Sequence, residues 1–344
     1  MFSDILKFNY HYFFDKPNGM RWYPIIAFYY LTYACGFRCY YCSDGKGRPY
    51  HTLQSEELDN GMLVKILSKI RKYCNYICLT GGEPFESKNL KTALTTIKLL
   101  NFKKLILTTN GVYFEENADI LGQTVDCLVF SLDSMDPSKL SEWYGCSENI
   151  SNKIIQSIEL AHSIKKKTYR ICISTVVTEN NILDLYEVYK FAKSRNFEFA
   201  ACPQLKGVTE NQKLFHNPEY ISFFNFLIRE KKKNENIFGN IKYLEYMRDF
   251  TKFNCRPFTM LVLSPEGNVY YPCLEIGNCG GNLIEEESLH TLRKKANKLF
   301  GPQPVCSNQC HSACALNFAL MLEKPQFAVK EVFRNIKNQI TKKN

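Results

Sequence analysis

The sequence contains no run approaching the roughly 18 unbroken apolar residues that a membrane-spanning helix requires. Its most apolar stretch, Tyr23 to Leu31, is far shorter and contains Pro24. The first residues, Met1-Phe2-Ser3-Asp4-Ile5-Leu6-Lys7, lack the basic-then-apolar order of a secretory signal. There is no low-complexity linker and no long internal repeat. No basic stretch interleaves aromatics in the manner of a nucleic-acid motif. What remains is a chain of 344 residues, 45% of them hydrophobic, which can bury a core. It reads as a cytoplasmic protein, of a length that suits one barrel with an appendage.

Fifteen cysteines are present. Cytoplasmic thiols stay reduced, so disulfides do not account for them; the odd count and tight local grouping point to metal or cluster ligation. The formal net charge is +10, with local excess at Lys165-Lys166-Lys167, Lys231-Lys232-Lys233, Lys294-Lys295 and Lys342-Lys343. Solvated helix ends account for these runs; a nucleic-acid or anionic-membrane face is the alternative. The aromatic run Phe8 to Phe14 is expected to close the bottom of a barrel, with peripheral docking on a membrane as the other reading.

Two periods alternate between residues 25 and 200. Short β-rich apolar runs fall at 25–31, 76–80, 104–108, 126–131, 169–177 and 197–201, with helical patterns near 55–72, 87–100, 114–121, 149–166 and 182–194 between them. Strands alternating with helices imply a parallel sheet with right-handed crossovers. The fold class expected is α/β: a partial (β/α)6 TIM barrel with a small C-terminal domain of a hairpin plus helices. Further helices are expected at 218–232, 240–251, 286–299, 308–322 and 326–340, and a hairpin over Thr259–Leu263 and Val269–Tyr271. The domain reading is an aromatic extension over 1–23, a core over 24–205, connecting helices over 206–254, an auxiliary domain over 255–322 and a basic tail over 323–344.

Chemistry in parallel barrels gathers at the C-terminal ends of the strands, and each motif of this chain falls at such an end. After the first strand comes Ala34-Cys35-Gly36-Phe37-Arg38-Cys39-Tyr40-Tyr41-Cys42. Three thiolates on one loop can hold three irons of a [4Fe–4S] cube and leave the fourth iron open. Zinc is the rival, but structural zinc sites pair two knuckles, and here the closest further ligand is His51. Arg48, Tyr50 and His51 follow the loop as further pocket candidates. Gly81-Gly82-Glu83-Pro84 follows the second strand, Thr108-Thr109-Asn110-Gly111 the third and Ser131-Leu132-Asp133 the fourth; Thr175-Val176-Val177 with Asn181 ends the fifth. Two glycines permit close backbone approach, and the Glu83 carboxylate can accept from an ammonium.

The cysteine loop, with its aromatic Tyr41 before the last cysteine, and the ordered strand-end motifs resemble the signature of radical S-adenosylmethionine (radical SAM) enzymes. The resemblance covers about residues 24–205. It implies a [4Fe–4S] cluster on Cys35, Cys39 and Cys42, with S-adenosylmethionine on the open iron. One-electron cleavage would then give a 5′-deoxyadenosyl radical. It further implies cofactor contacts from Tyr41, Gly81, Gly82, Glu83, Thr109, Asn110, Ser131, Asp133 and Val177, and a one-electron reductant such as flavodoxin or ferredoxin as partner.

A looser resemblance covers 255–316. Cys255, Gly267, Cys273, Cys306, Cys310 and Cys314 look like the SPASM or twitch extension of that family, which binds auxiliary [4Fe–4S] clusters. The chain departs from the full seven-cysteine pattern, so one second [4Fe–4S] cluster is expected, on Cys255, Cys273 and two of Cys306, Cys310 and Cys314. Cys310 is the safest of those, and Cys279 and His311 are spares; zinc on the same ligands is the alternative. Cys74, Cys78, Cys127, Cys146 and Cys172 read as small core residues. Cys202, just past the sixth strand, is the candidate catalytic thiol, against a packing role.

The function expected is a radical SAM enzyme acting on a small-molecule or peptide substrate. A peptide- or protein-modifying maturase is an alternative, and a nucleic-acid enzyme a subsidiary one. Only about 24 residues precede the first strand, too few for a leader-binding domain, which favours a small metabolite or lipid. A non-catalytic iron–sulfur electron-transfer protein is the alternative of another class; it has no need of the strand-end motifs.

Overall fold

The computed structural model describes residues 23–54, 56–164, 169–301 and 310–323. The aromatic run at 8–14, the helix expected at 326–340, Cys306 and the lysines at 165–167 and 342–343 lie outside them.

Six parallel strands form the framework: β1 (Ile26–Thr32), β2 (Tyr76–Gly81), β3 (Lys104–Thr109), β4 (Cys127–Ser131), β5 (Arg170–Val177) and β6 (Glu198–Pro203). They lie side by side in chain order. The crossovers carry α1 (Asn60–Tyr73), α2 (Leu90–Leu99), α3 (Phe114–Thr124), α4 (Pro137–Tyr144), α5 (Glu148–Ser163) and α6 (Asp184–Ser194). This is the partial barrel that the alternation of periods predicts.

Strand alternation sorts the side chains of β1 onto two faces. Ala27, Tyr29 and Leu31 pack with Leu63, Ile66, Leu67 and Ile70 of α1 in the layer between sheet and helices. Ile26 and Tyr30 fall in separate clusters on the other face. Burial on both faces is why these strands read as continuous apolar runs. Fully burying each such aliphatic side chain stabilises the fold by roughly 1.5–3 kcal/mol.

Caps set several helix starts later than periodicity implied. Asp59 accepts from the Met62 amide at 2.8 Å and Ser288 from the Thr291 amide at 3.0 Å, so these helices begin at 60 and 289. Periodicity missed α4. Its start is nonetheless written in Asp136-Pro137, a capping carboxylate before a proline at the first helical position.

Beyond β6 lie the short ribbon β7 (Leu205–Lys206) and β8 (Thr209–Glu210), then α7 (Pro218–Lys232) and α8 (Ile241–Asp249). The expected hairpin is present as β9 (Met260–Leu263) and β10 (Asn268–Tyr271), with β11 (Asn278–Asn282) added beyond it. It joins the main sheet: β9 pairs parallel to β1, from Ile26 opposite Met260 to Tyr29 opposite Leu263. The sheet thus has nine strands, with β1 internal. After α9 (Leu289–Phe300), helix α10 (Ala313–Glu323) closes the described chain. Its Phe318 packs against Ile26, Tyr76 and Cys78 on the face of the sheet away from α1. No helix among the described residues is long and apolar enough to cross a membrane.

Candidate active site at the strand ends

The cysteine loop leaves the C-terminal end of β1 and is held from three sides. Backbone amides of Arg38 and Tyr40 donate to the carbonyls of Tyr144 (2.7 Å) and Trp143 (3.3 Å) at the end of α4. The Gly36 amide donates to Glu86 Oε1 at 2.6 Å. Arg38 turns its guanidinium back to the Cys35 and Phe37 carbonyls. The Cys42 amide donates to the Cys39 carbonyl at 3.0 Å, which bends the chain between those two thiols.

Glycines fix the approach of β2. The Gly82 amide donates to the Thr32 carbonyl (2.9 Å) and the Glu83 amide to the Ala34 carbonyl (2.7 Å). A Cβ on Gly82 would lie 2.1 Å from the Ala34 oxygen, and one on Gly81, where φ is +147°, 2.2 Å from the Thr32 oxygen. The close approach that these glycines allow is therefore to the root of the cysteine loop. The Glu83 carboxylate is buried. It accepts from the Asn110 amide at 2.7 Å, the Thr109 hydroxyl at 2.8 Å and the Phe85 amide at 3.1 Å. The first two of these bonds tie β2 to the end of β3. Burial pushes its pKa up to about 7 against these donors.

Asp133 plays the matching part between β4 and β5. It is buried and accepts from the Thr175 hydroxyl (2.8 Å), the Val176 amide (2.9 Å) and the Tyr41 hydroxyl. Burial raises its pKa, opposed by those bonds. Tyr41 is thereby turned inward. Tyr40, which the sequence did not single out, is the exposed aromatic of the loop, and its hydroxyl donates to Thr178 Oγ1 at 2.7 Å. Asn181 supports that end: its amide group donates to the Val176 carbonyl, and its Oδ1 accepts from the Thr178 amide. Ser131 is half-buried in register with Ser174, and Val177 is buried.

A cavity of about 630 Å³ opens over the loop, lined by Cys39, Tyr41 and Cys42, by Lys46, Gly47, Pro49 and His51, and by Gln204 to Val208; Arg48 and Tyr50 are not part of its lining. Arg48 is paired with Asp44 (2.6 Å), and Tyr50 stacks on Tyr30 at 5.6 Å; His51 lines the cavity. Burial pushes Cys35 up to about 12 and Cys42 up to about 11, and raises Cys39 as well. Cys39 and Cys42 add to this by mutual repulsion, as do Glu83 and Asp133. Bare thiolates are disfavoured there, whereas a cationic iron centre reverses that balance. Three soft sulfur donors on one loop, with no carboxylate lining the cavity, fit an iron–sulfur cluster better than a hard cation.

The second set of cysteines divides. Cys310 lies within electrostatic reach of Cys255, Cys273 and Glu275, which together with burial push its thiol well up. Cys314, in the first turn of α10, instead interacts with Cys78 and Cys202 inside the sheet's curve. His311 is not a spare ligand. Its Nδ1 meets Glu210 Oε1, its Nε2 lies 3.0 Å from the Thr251 carbonyl, and the ring is buried against Phe250 and Phe253. Cys279 is exposed on β11 opposite Tyr270. Cys74, Cys78, Cys127 and Cys172 are buried and Cys146 is half-buried. Cys202 ends β6 opposite Val176 with its thiol 3.8 Å from the Thr175 carbonyl, and burial pushes it up to about 12.

Comparison with known proteins bears on this geometry. Residues 29–191 match the Radical SAM superfamily. The chain is 28% identical over 188 residues to a probable GTP 3′,8-cyclase of Sulfolobus acidocaldarius, covering 54% of this chain and 58% of that protein. It is 31% identical over 176 residues to the GTP 3′,8-cyclase of Synechocystis, covering 49% and 50%. The chain spans about half the length of these curated relatives. The fold is similar to that of Streptococcus suis SuiB bound to S-adenosylmethionine (TM-score 0.64, 16% identity, 80% of this chain and 68% of that one). It is also similar to that of anSMEcpe with bound AdoMet (TM-score 0.59, 18% identity, 90% and 98%).

Proposed function

Because this chain belongs to the radical SAM superfamily through its domain at 29–191, we propose that it is a radical SAM enzyme whose cluster is held by Cys35, Cys39 and Cys42. A [4Fe–4S] cluster with S-adenosylmethionine, the cofactor pair of that family, would supply radical hydrogen-abstraction chemistry there. The chain's own residues fix where this happens. Glu83 locks the ends of β2 and β3 together, and Asp133 locks β4 to β5 while turning Tyr41 beneath the cavity. Gly81 and Gly82 let β2 seat the cysteine loop. Candidate cofactor contacts are Tyr41, Thr109, Asn110, Ser131 and Val177 at the same strand ends. The single observation that carries the reading is that the Cys35/Cys39/Cys42 loop leaves the C-terminal end of β1 and is tied to the ends of its neighbours, through the Gly82 and Glu83 amides to β1 and its loop and through Tyr41 to Asp133 at the end of β4.

The auxiliary region supports a second cluster on Cys255, Cys273 and Cys310, with Cys306 as the fourth ligand to test. Cys314 is left to the barrel interior, because its neighbours are Cys78 and Cys202. The boundaries proposed are a core over 24–205, connecting helices over 206–254 and an auxiliary unit over 255–322. The substrate is a small molecule or a peptide, in a reducing cytoplasm with a flavodoxin- or ferredoxin-type reductant.

The test is EPR of the anaerobically reconstituted, reduced protein. Adding S-adenosylmethionine shifts the cluster signal if the open iron binds it. An unchanged signal would leave an electron-transfer protein.

A further inference from the structure

Charge around the cavity is unbalanced. Its lining includes Arg38, Lys46, His51 and Lys206, and no aspartate or glutamate. Three nearby carboxylates, Asp44, Glu179 and Glu210, already have partners. Asp44 is bridged by Arg48 at 2.6 Å, Glu179 by Lys213 at 3.0 Å, and Glu210 meets His311. Glu275 lies within electrostatic reach of Asp44, Tyr30, Tyr50 and Cys310 and is not part of the cavity lining. Lys46 and Lys206 are both exposed, and neither ammonium has an ion-pair partner among the described residues.

Lys46 and Lys206 sit on two loops that line the cavity and touch through their backbones. Gly207, at φ +62° in the turn of the β7–β8 ribbon, would carry a Cβ 2.9 Å from the Gly45 carbonyl oxygen. A Cβ on Gly45 would in turn lie 1.7 Å from the Glu275 oxygen. Glycine at both positions lets the ribbon, the cysteine-loop extension and the loop after β10 meet at one point, which places the backbone of one lysine on each of two loops lining the cavity.

We infer that the mouth of this cavity binds the phosphate or diphosphate group of an anionic substrate between Lys46 and Lys206, with Arg38 of the same lining adding positive potential. Point-charge ammonium groups on two loops suit a multiply charged anion that enters from solvent. The inference names the substrate class for the site proposed above and so rests on that reading.

The test uses the full chain, anaerobically reconstituted, with inorganic pyrophosphate as the probe in isothermal titration. The wild type binds pyrophosphate, and binding weakens as ionic strength rises. The double variant Lys46→Ala/Lys206→Ala weakens it about tenfold, while Lys91→Ala/Lys98→Ala on α2, which removes the same charge elsewhere, leaves it unchanged. S-Adenosylmethionine affinity and substrate-free formation of 5′-deoxyadenosine stay at the wild-type level in both. Three results overturn the inference: no pyrophosphate binding by the wild type, equal affinity in the Lys46/Lys206 variant, or an equal loss in the α2 variant. A loss of S-adenosylmethionine affinity in the Lys46/Lys206 variant does so too, since the lysines would then serve the cofactor's carboxylate. Absence of 5′-deoxyadenosine from every protein, with pyrophosphate binding still dependent on the two lysines, overturns the radical reading and leaves the anion site standing.

Discussion

Replacing Gly82 with alanine tests how the cysteine loop is seated. The new Cβ would lie 2.1 Å from the Ala34 carbonyl oxygen and 2.5 Å from that of Tyr33, both backbone atoms with no rotamer to escape into. Relief requires the Ala34 contact to open to at least 3.0 Å. That movement stretches the bonds from the Gly82 amide to Thr32 (2.9 Å) and from the Glu83 amide to Ala34 (2.7 Å). Each is worth about 1 kcal/mol net and up to about 3 where a buried group is left unpaired, for a total of about 2–6 kcal/mol. A fall in melting temperature of about 5 °C or more is expected. Cys35 follows Ala34 directly, so the loss should also appear as less iron and sulfide bound after reconstitution. Gly47→Ala is the control: it too has positive φ (+77°) but no atom within 4 Å of the added methyl. It pays only the roughly 1–2 kcal/mol of a left-handed alanine and keeps its iron. A Gly82→Ala protein that melts and loads like the wild type would refute the seating argument.

Three further outcomes follow from the site. Glu83 has a folded pKa raised to about 7, chiefly by burial; its contribution to stability is complete below the ordinary carboxylate pKa and is lost as pH rises towards 7. The expected change is about 3 kcal/mol, read as denaturation midpoints between pH 4.5 and 8, and Glu83→Gln should flatten the profile. Tyr41→Phe removes a buried donor to Asp133 and should cost about 1–3 kcal/mol, whereas Tyr40→Phe removes only a hydroxyl of an exposed ring bonded to Thr178 and should cost less; thermal denaturation of the two variants compares them. Cys310→Ser should lower iron per chain by the content of one cluster while Cys314→Ser leaves it unchanged; iron analysis showing the reverse would reassign the ligands.

Much of this arrangement was legible in the sequence because parallel strands buried on both faces leave continuous apolar runs. The runs at 25–31, 76–80 and 104–108 agree with β1, β2 and β3 to within a residue or so. The short strand β11, Asn278 to Asn282, carries two glycines and no β-branched residue, so it left no such trace. Side-chain commitments were less legible than strand ends. That Glu83 would accept from Phe85, Thr109 and Asn110 depends on how β2 and β3 abut. His311 next to Cys310 looks like a ligand in one dimension, but the fold brings Glu210, about a hundred residues earlier, against its ring. The lysine pair of the cavity was hidden for the same reason, since the loops that carry Lys46 and Lys206 come together only through the Gly45–Gly207 contact. By contrast, the helix beginning at Pro137 was written plainly in its cap and was missed because eight residues give periodicity little to work on.

The central claim is that the thiols of Cys35, Cys39 and Cys42 hold a cluster that cleaves S-adenosylmethionine. Incubating the reconstituted protein anaerobically with S-adenosylmethionine and a one-electron reductant, and quantifying 5′-deoxyadenosine by mass spectrometry, tests it most directly. The account predicts product from the wild type and none from Cys39→Ala. No product from an iron-loaded wild type, or undiminished product from Cys39→Ala, would contradict it.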